Sequence, residues 1–174
     1  AVGSVALSAN TTGINNVSVG HNSSLANTTG AANTAIGQRA LASNISGNNH
    51  VAIGRGALEA NTIASSNTAV GHSALTSNTT GTRNTALGAN ALDANTTPSD
   101  NTAVGYESLT ANTTGGQNTV LGSRTGDNIT TGFNNIVIGY NADASSASVQ
   151  NEITLGNSVI ATLRCNVQTI SSLS

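Results

Sequence analysis

Glycine returns every 17 residues along this chain: Gly3, Gly20, Gly37, Gly54, Gly71, Gly88, Gly105, Gly122, Gly139 and Gly156. Each closes a short segment of one type, such as Asn101-Thr102-Ala103-Val104-Gly105, which recurs at Asn33–Gly37, Asn67–Gly71 and Asn84–Gly88 and, slightly altered, at Asn118–Gly122. A short fixed period specifies a stacked architecture in which each unit contacts only its neighbours. It also argues against disorder, because a disordered chain has no reason to hold one phase over ten units.

Positions are numbered here as phases from the index glycine. Phase −1 is always aliphatic, from Val2 and Val19 to Ile138 and Leu155. Phase −3 is β-branched (Val17, Thr34, Val51, Thr68, Thr85, Thr102, Thr119, Ile136, Ile153) and phase −2 is small, mostly Ala. Such alternation predicts a short strand, with −1 and −3 on one face and −2 on the other. The constant small residue suggests that something packs closely on the −2 face. After the glycine turn a second apolar point follows at +4 (Leu7, Leu41, Leu58, Leu75, Leu92, Leu109, Ile160), with Leu25 one place late, and predicts a second, shorter strand. An Asn-Thr-Thr-Gly turn closes the unit, with Asn at +7 from Asn10 to Asn112 and Pro98 accommodated at +10. Stacking turns every phase into a ladder, and Asn at −4 (Asn16, Asn33, Asn67, Asn84, Asn101, Asn118, Asn135) is expected to form a column of hydrogen-bonded amides.

Composition narrows the function. Charged residues are 7% and aromatics 2% (Tyr106, Tyr140, Phe133), and Trp and Met are absent. The apolar fraction is largely Ala, so large interlocked side chains cannot supply the core; the chain must stack regularly, share a core with other copies, or both. A net charge of −2 without a basic stripe excludes nucleic acid as the expected partner. The single Cys165 excludes an internal disulfide framework. No apolar run reaches the length of a membrane span, and no membrane insertion is expected. The chain starts in mid-repeat and carries no Met, which suggests a fragment or processed product.

The unit Asn-Thr-Ala-Val-Gly-x-x-Ala-Leu, and above all His50-Val51-Ala52-Ile53-Gly54, resembles the head repeats of trimeric autotransporter adhesins. That resemblance implies a trimeric parallel β-roll, although the period of 17 is a few residues longer than is usual there. The C-terminal stretch Asn151-Glu152-Ile153-Thr154-Leu155-Gly156-Asn157-Ser158, running through Leu163-Arg164 to Ser174, resembles the segment preceding the self-cleaving intramolecular chaperone of phage tail fibres and tailspikes. It implies that Ser174 is a former cleavage point and that residues 157–174 form a cap or exit segment after a repeat region of residues 1–156. The expected fold is all-β: a homotrimeric parallel β-roll or β-solenoid of about ten 17-residue rungs. A short rung leaves apolar surface exposed unless it meets a partner, and a small −2 residue would let three chains approach an axis.

Constant phases build the scaffold, so recognition is sought where the sequence varies, at +1/+2 and +11/+12. Arg55, Tyr106, Tyr140 and Phe133 are the candidate binding residues there, because aromatics and Arg carry much binding energy per residue. His21 and His72 share a phase but lie three rungs apart, too far for one chain to chelate a metal with them. The seven acids fall at scattered phases with no paired-carboxylate logic, Asn-x-Ser/Thr sequons arise from composition, and no enzyme activity or cofactor is expected. The expected function is a structural fibre segment of a phage tail, located on the virion or extracellularly, self-associated and able to contact a host surface glycan or protein. The alternatives are a bacterial trimeric surface adhesin and an ice-binding β-solenoid. The last is disfavoured because its Thr pairs are adjacent, whereas Thr-x-Thr spacing is needed to place two ladders on one side.

Overall fold

The computed structural model describes residues 1–160; Cys165, Ser174 and most of the expected cap lie outside the described residues. Nine three-residue strands follow in order: β1 (Val17–Val19), β2 (Thr34–Ile36), β3 (Val51–Ile53), β4 (Thr68–Val70), β5 (Thr85–Leu87), β6 (Thr102–Val104), β7 (Thr119–Leu121), β8 (Ile136–Ile138) and β9 (Ile153–Leu155). They form one parallel sheet in sequence order, each residue paired with the residue 17 positions on, as in Thr68↔Thr85 and Ala69↔Ala86. The chain is therefore a parallel β-solenoid of about eight turns. Of the ten rungs expected from the glycines, the first survives only as a bridge between Val2 and Val19. Nine strands at about 4.8 Å make a rod face about 38 Å long.

The index glycine is required twice over. At Gly37 φ is +134°, which side chains other than hydrogen rarely tolerate. A Cβ there would also lie 2.5 Å from the carbonyl oxygen of Gly54 in the next rung. The strand therefore turns sharply while successive corners sit in contact.

The expected facing of the strands is half right and reverses the argument built on it. Phases −1 and −3 do share one face, but it is the outer one. The small −2 residues Ala35, Ala52, Ala69, Ala86 and Ala103 point into the roll and are fully buried. What packs closely on them is their own rung: the Ala at +3 and the Leu at +4 (Leu41, Leu58, Leu75, Leu92, Leu109), all in one buried cluster. Small residues at −2 thus close the roll; they do not admit a second chain.

The second strand does not form. The +4 leucines adopt left-handed backbone, with φ between 51° and 53° at Leu41, Leu58, Leu75, Leu92 and Leu109. Left-handed Leu costs roughly 1–2 kcal/mol, and burying the side chain returns about 1.5–3 kcal/mol. Phases +2 and +12 are left-handed as well, as at Arg39, Ser73, Ser66 and Asp100. Three such residues per rung let a 17-residue coil close around one leucine.

Where the pattern breaks, volume is conserved. Gly126 replaces Leu at +4 and keeps the left-handed turn at φ 61°. The space passes to Val120, which stands where other rungs have Ala, and to Ile129; both are fully buried. In the rung of Gly20, Ser18 and Ser23 hydrogen-bond inside the roll, and Ser24 takes the left-handed position at φ 46°. Leu25 is thereby displaced to the flank of a surface depression of about 280 Å³, beside Arg39 and Ile45.

Candidate functional site

Two columns of Asn run through the roll. The continuous stacked-amide column is at +7; at −4, where amide bonds were expected, Asn118 donates to Asn101 at 3.2 Å and Asn135 to Asn118 at 3.0 Å. Nδ2 of Asn27, Asn44, Asn61, Asn78, Asn95 and Asn112 each donates to Oδ1 of the Asn one rung earlier, at 2.8–3.2 Å. The same Nδ2 also donates to a carbonyl three residues on, such as Gly81 O from Asn78 at 3.0 Å. Ladder logic predicts a donor for every Oδ1 until the column stops. It stops at Ile129, and Asn112 Oδ1 is left buried with no hydrogen-bond partner.

At −4 the amides mainly serve backbone. Oδ1 accepts the backbone N–H of the −4 residue in the next rung, as from Asn84 N to Asn67 Oδ1 at 2.9 Å. Nδ2 donates to the carbonyl 14 residues on, as from Asn67 to Gly81 O at 2.7 Å. One rung breaks the column: His50 occupies −4 and is 1% exposed. Its backbone N–H donates to Asn33 Oδ1 at 3.0 Å. Nε2 lies 2.6 Å from Ala64 O, and Nδ1 accepts from Asn67 N–H at 3.2 Å. Because a carbonyl only accepts and an N–H only donates, the ring is the neutral Nε2–H tautomer. It reproduces both jobs of the missing Asn. The position was legible, since His50 lies four residues before Gly54; its place in the Asn column was overlooked.

The outer sheet face runs along all nine strands. Its −1 ladder is aliphatic from Val2 to Leu155; its −3 ladder is Thr at Thr34 and in the four consecutive strands from Thr68 to Thr119 and Val or Ile in the other four, with no charged residue in either. Leu87 is 47% and Leu121 48% exposed, as befits side chains standing off a sheet with nothing over them. A face about 38 Å by 10 Å projects roughly 400 Å², and side chains add to that. The aliphatic −1 ladder runs the length of this uncharged face, and a contiguous exposed apolar strip marks interaction sites.

The four candidate binding residues do not converge. Arg55, Tyr106 and Tyr140 share the +1 ladder, three and two rungs apart, or about 14 and 10 Å. Phe133, 40% exposed, lies at +11 on the opposite flank of the sheet. Arg55 Nε donates to Gln38 Oε1 at 3.3 Å and its Nη1 to His72 Nε2 at 2.9 Å. Tyr106 belongs to a small surface network in which its hydroxyl donates to Glu107 Oε1 at 2.7 Å and the Arg124 guanidinium lies 5.8 Å from its ring centroid. The Tyr106 hydrogen bond, helped by Arg124, holds the Glu107 carboxyl below its ordinary range. Tyr140 projects into solvent at 66% exposure.

Other titratable groups are dispersed. Arg83 pairs with Asp100 at 2.6 Å and Arg39 with Glu59 at 2.6 Å, both at the surface. Burial, then the neighbouring Asp127, pushes the Asp143 carboxyl up. Among the described residues no group of three or more His, Cys, Asp or Glu is placed to hold a metal ion, and no helix is long and apolar enough to cross a membrane. The chain matches no protein-family model, no curated protein and no solved structure.

Proposed function

We propose that this chain is a structural element of a self-associating fibre, three copies packed through their outer sheet faces, and that the fibre is a phage tail shaft or tip. The observation that carries this reading is the unbroken aliphatic −1 ladder, exposed or half-buried at every strand of the described residues. A roll whose interior is one Leu and two small residues per rung keeps its larger aliphatics outside, where they stabilise nothing unless another surface covers them. Ladders in strict register suit a parallel partner, because each rung of one copy then meets the same rung of the next. The number three and the phage context come from the resemblances in the repeats and the C-terminal stretch. A bacterial trimeric surface adhesin head is the second reading, resting on the same repeat resemblance. In either setting contact with a host glycan or protein falls to the variable corners, with Arg55, Tyr106, Tyr140 and Phe133 as separate contacts along the rod.

The test is a pair of charges in the middle of the face. Leu87→Glu with Val104→Glu leaves the roll interior untouched. The double variant is expected to stay folded by circular dichroism and to lose self-association in sedimentation equilibrium, while Thr80→Glu on a corner keeps it. Self-association unchanged in the double variant would put the contact elsewhere. If the parent chain itself does not associate, thermal hysteresis in a freezing assay tests the ice-binding alternative.

A further inference from the structure

We propose that His50 is an acid-sensitive latch between the rungs of β3 and β4, so that lowering the pH loosens the rod at this one point. The geometry is specific. His50 stands in a column otherwise filled by Asn from Asn16 to Asn135. Asn has no proton to gain in this range; imidazole does. Protonation would place hydrogen on Nδ1, which faces the backbone N–H of Asn67. An acceptor becomes a donor aimed at a donor, and that bond is lost. The bond from Val51 N to Asn67 O, at 3.0 Å, joins the same two rungs one residue away and would share the strain.

The carbonyl of Ala64, already bonded to Nε2, favours the added charge, but burial outweighs it. The ring is surrounded by the turn at Gly47, the carbonyl of Ala64, the amide of Asn61 and the backbone of Asn67. None is a carboxylate, and none is titratable. Nε2 already serves Ala64 O, so the charge gains no new acceptor. Burial pushes His50 below its ordinary imidazole value, in agreement with this environment. The cation must therefore form in an opened rung. Linkage sets the size: below about pH 6.5 the open form gains up to tenfold in population per pH unit, until the folded-state value is reached. The latch lies within one chain and does not depend on self-association.

Hydrogen exchange read by mass spectrometry on the whole chain tests it. After correction for intrinsic rates, the peptide spanning residues 65–69 should open at least several-fold more at pH 5 than at pH 7, whereas the equivalent Asn118 segment should not change. His50→Asn, which restores the column, should abolish the pH dependence; His21→Asn and His72→Asn, at exposed positions, should retain it. Should His50→Asn fold poorly, nitrogen-15 shifts of the unmodified protein decide. A bare Nδ1, a protonated Nε2 and no titration near pH 6.5 in the folded state are expected. An imidazole that titrates normally in the closed rung, or identical profiles for the parent and His50→Asn, would overturn the proposal.

Discussion

Asn78→Ala and Asn112→Ala remove the same side chain from the same column, yet they should differ in cost. In mid-column, Asn78 Nδ2 donates to Asn61 Oδ1 at 3.2 Å and to Gly81 O at 3.0 Å, and its Oδ1 accepts from Asn95 Nδ2 at 3.1 Å. Removing it deletes three buried hydrogen bonds, each worth about 1 kcal/mol, and leaves Asn61 Oδ1 without its partner in the column at a further cost of about 1–3 kcal/mol. The expected loss is about 4–6 kcal/mol. Asn112 ends the column. It donates to Asn95 Oδ1 at 3.0 Å and to Gly115 O at 2.8 Å, but its own Oδ1 is already unpartnered. Alanine there deletes two bonds and also removes that orphan. Asn95 Oδ1 retains a longer bond from Asn101 Nδ2 at 3.4 Å. The expected loss is at most about 1 kcal/mol, and the cavity left by the amide is common to both variants. Urea unfolding at one fixed protein concentration, with equal m-values, measures the difference. A loss at Asn112 as large as that at Asn78 would refute the ladder account, since the orphaned oxygen would then carry no cost.

Leu75→Ala tests the interior. Leu75 is fully buried and left-handed, and alanine keeps the backbone cost while losing the packing; a loss of about 2–5 kcal/mol in urea unfolding is expected. Ser66→Gly tests the left-handed corners. Ser66 has φ 64° at an exposed position, and glycine should stabilise by about 0.5 kcal/mol once its greater unfolded freedom is offset against the relieved strain; a loss of stability would mean the corner is not strained. The pH dependence from His50 has a definite sign. Its folded-state value is depressed, so the unfolded chain binds more protons in acid. Stability is complete above about pH 6.5 and falls below it by at most about 1.4 kcal/mol per pH unit, a slope that His50→Asn should remove from a series of unfolding curves.

The rung was legible because its determinants are local. A glycine that must turn sharply against the next glycine cannot drift in register, so the period alone fixed the strands at Thr34–Ile36, Thr68–Val70 and their equivalents. Which face was inside was not legible by the same means. Alternation separates Ala69 from Thr68 and Val70 but does not say which set is buried, and the usual expectation that larger aliphatics are interior fails in a coil this narrow. The leucine at Leu75 showed itself as apolar and periodic, but left-handed backbone has no signature in a residue that normally avoids it; only Gly126, at the equivalent position, hinted at positive φ. The Asn at +7 was assigned to a turn, which it occupies, while its role as a stacked amide depends on the closing of the roll. The binding candidates were chosen by residue type. Arg55, Tyr106, Tyr140 and Phe133 are indeed on the surface, but their separation is set by rung height, which residue type does not encode.

Native mass in solution tests the central claim most directly, because the whole account turns on the outer sheet face being covered by copies of itself. The chain weighs 17.1 kDa. Light scattering or native mass spectrometry should give a species of three chains, unchanged on dilution through the micromolar range. A stable monomer whose −1 ladder, with Leu87 and Leu121, remains open to solvent would contradict the fibre, and a dimer would keep self-association while removing the threefold arrangement.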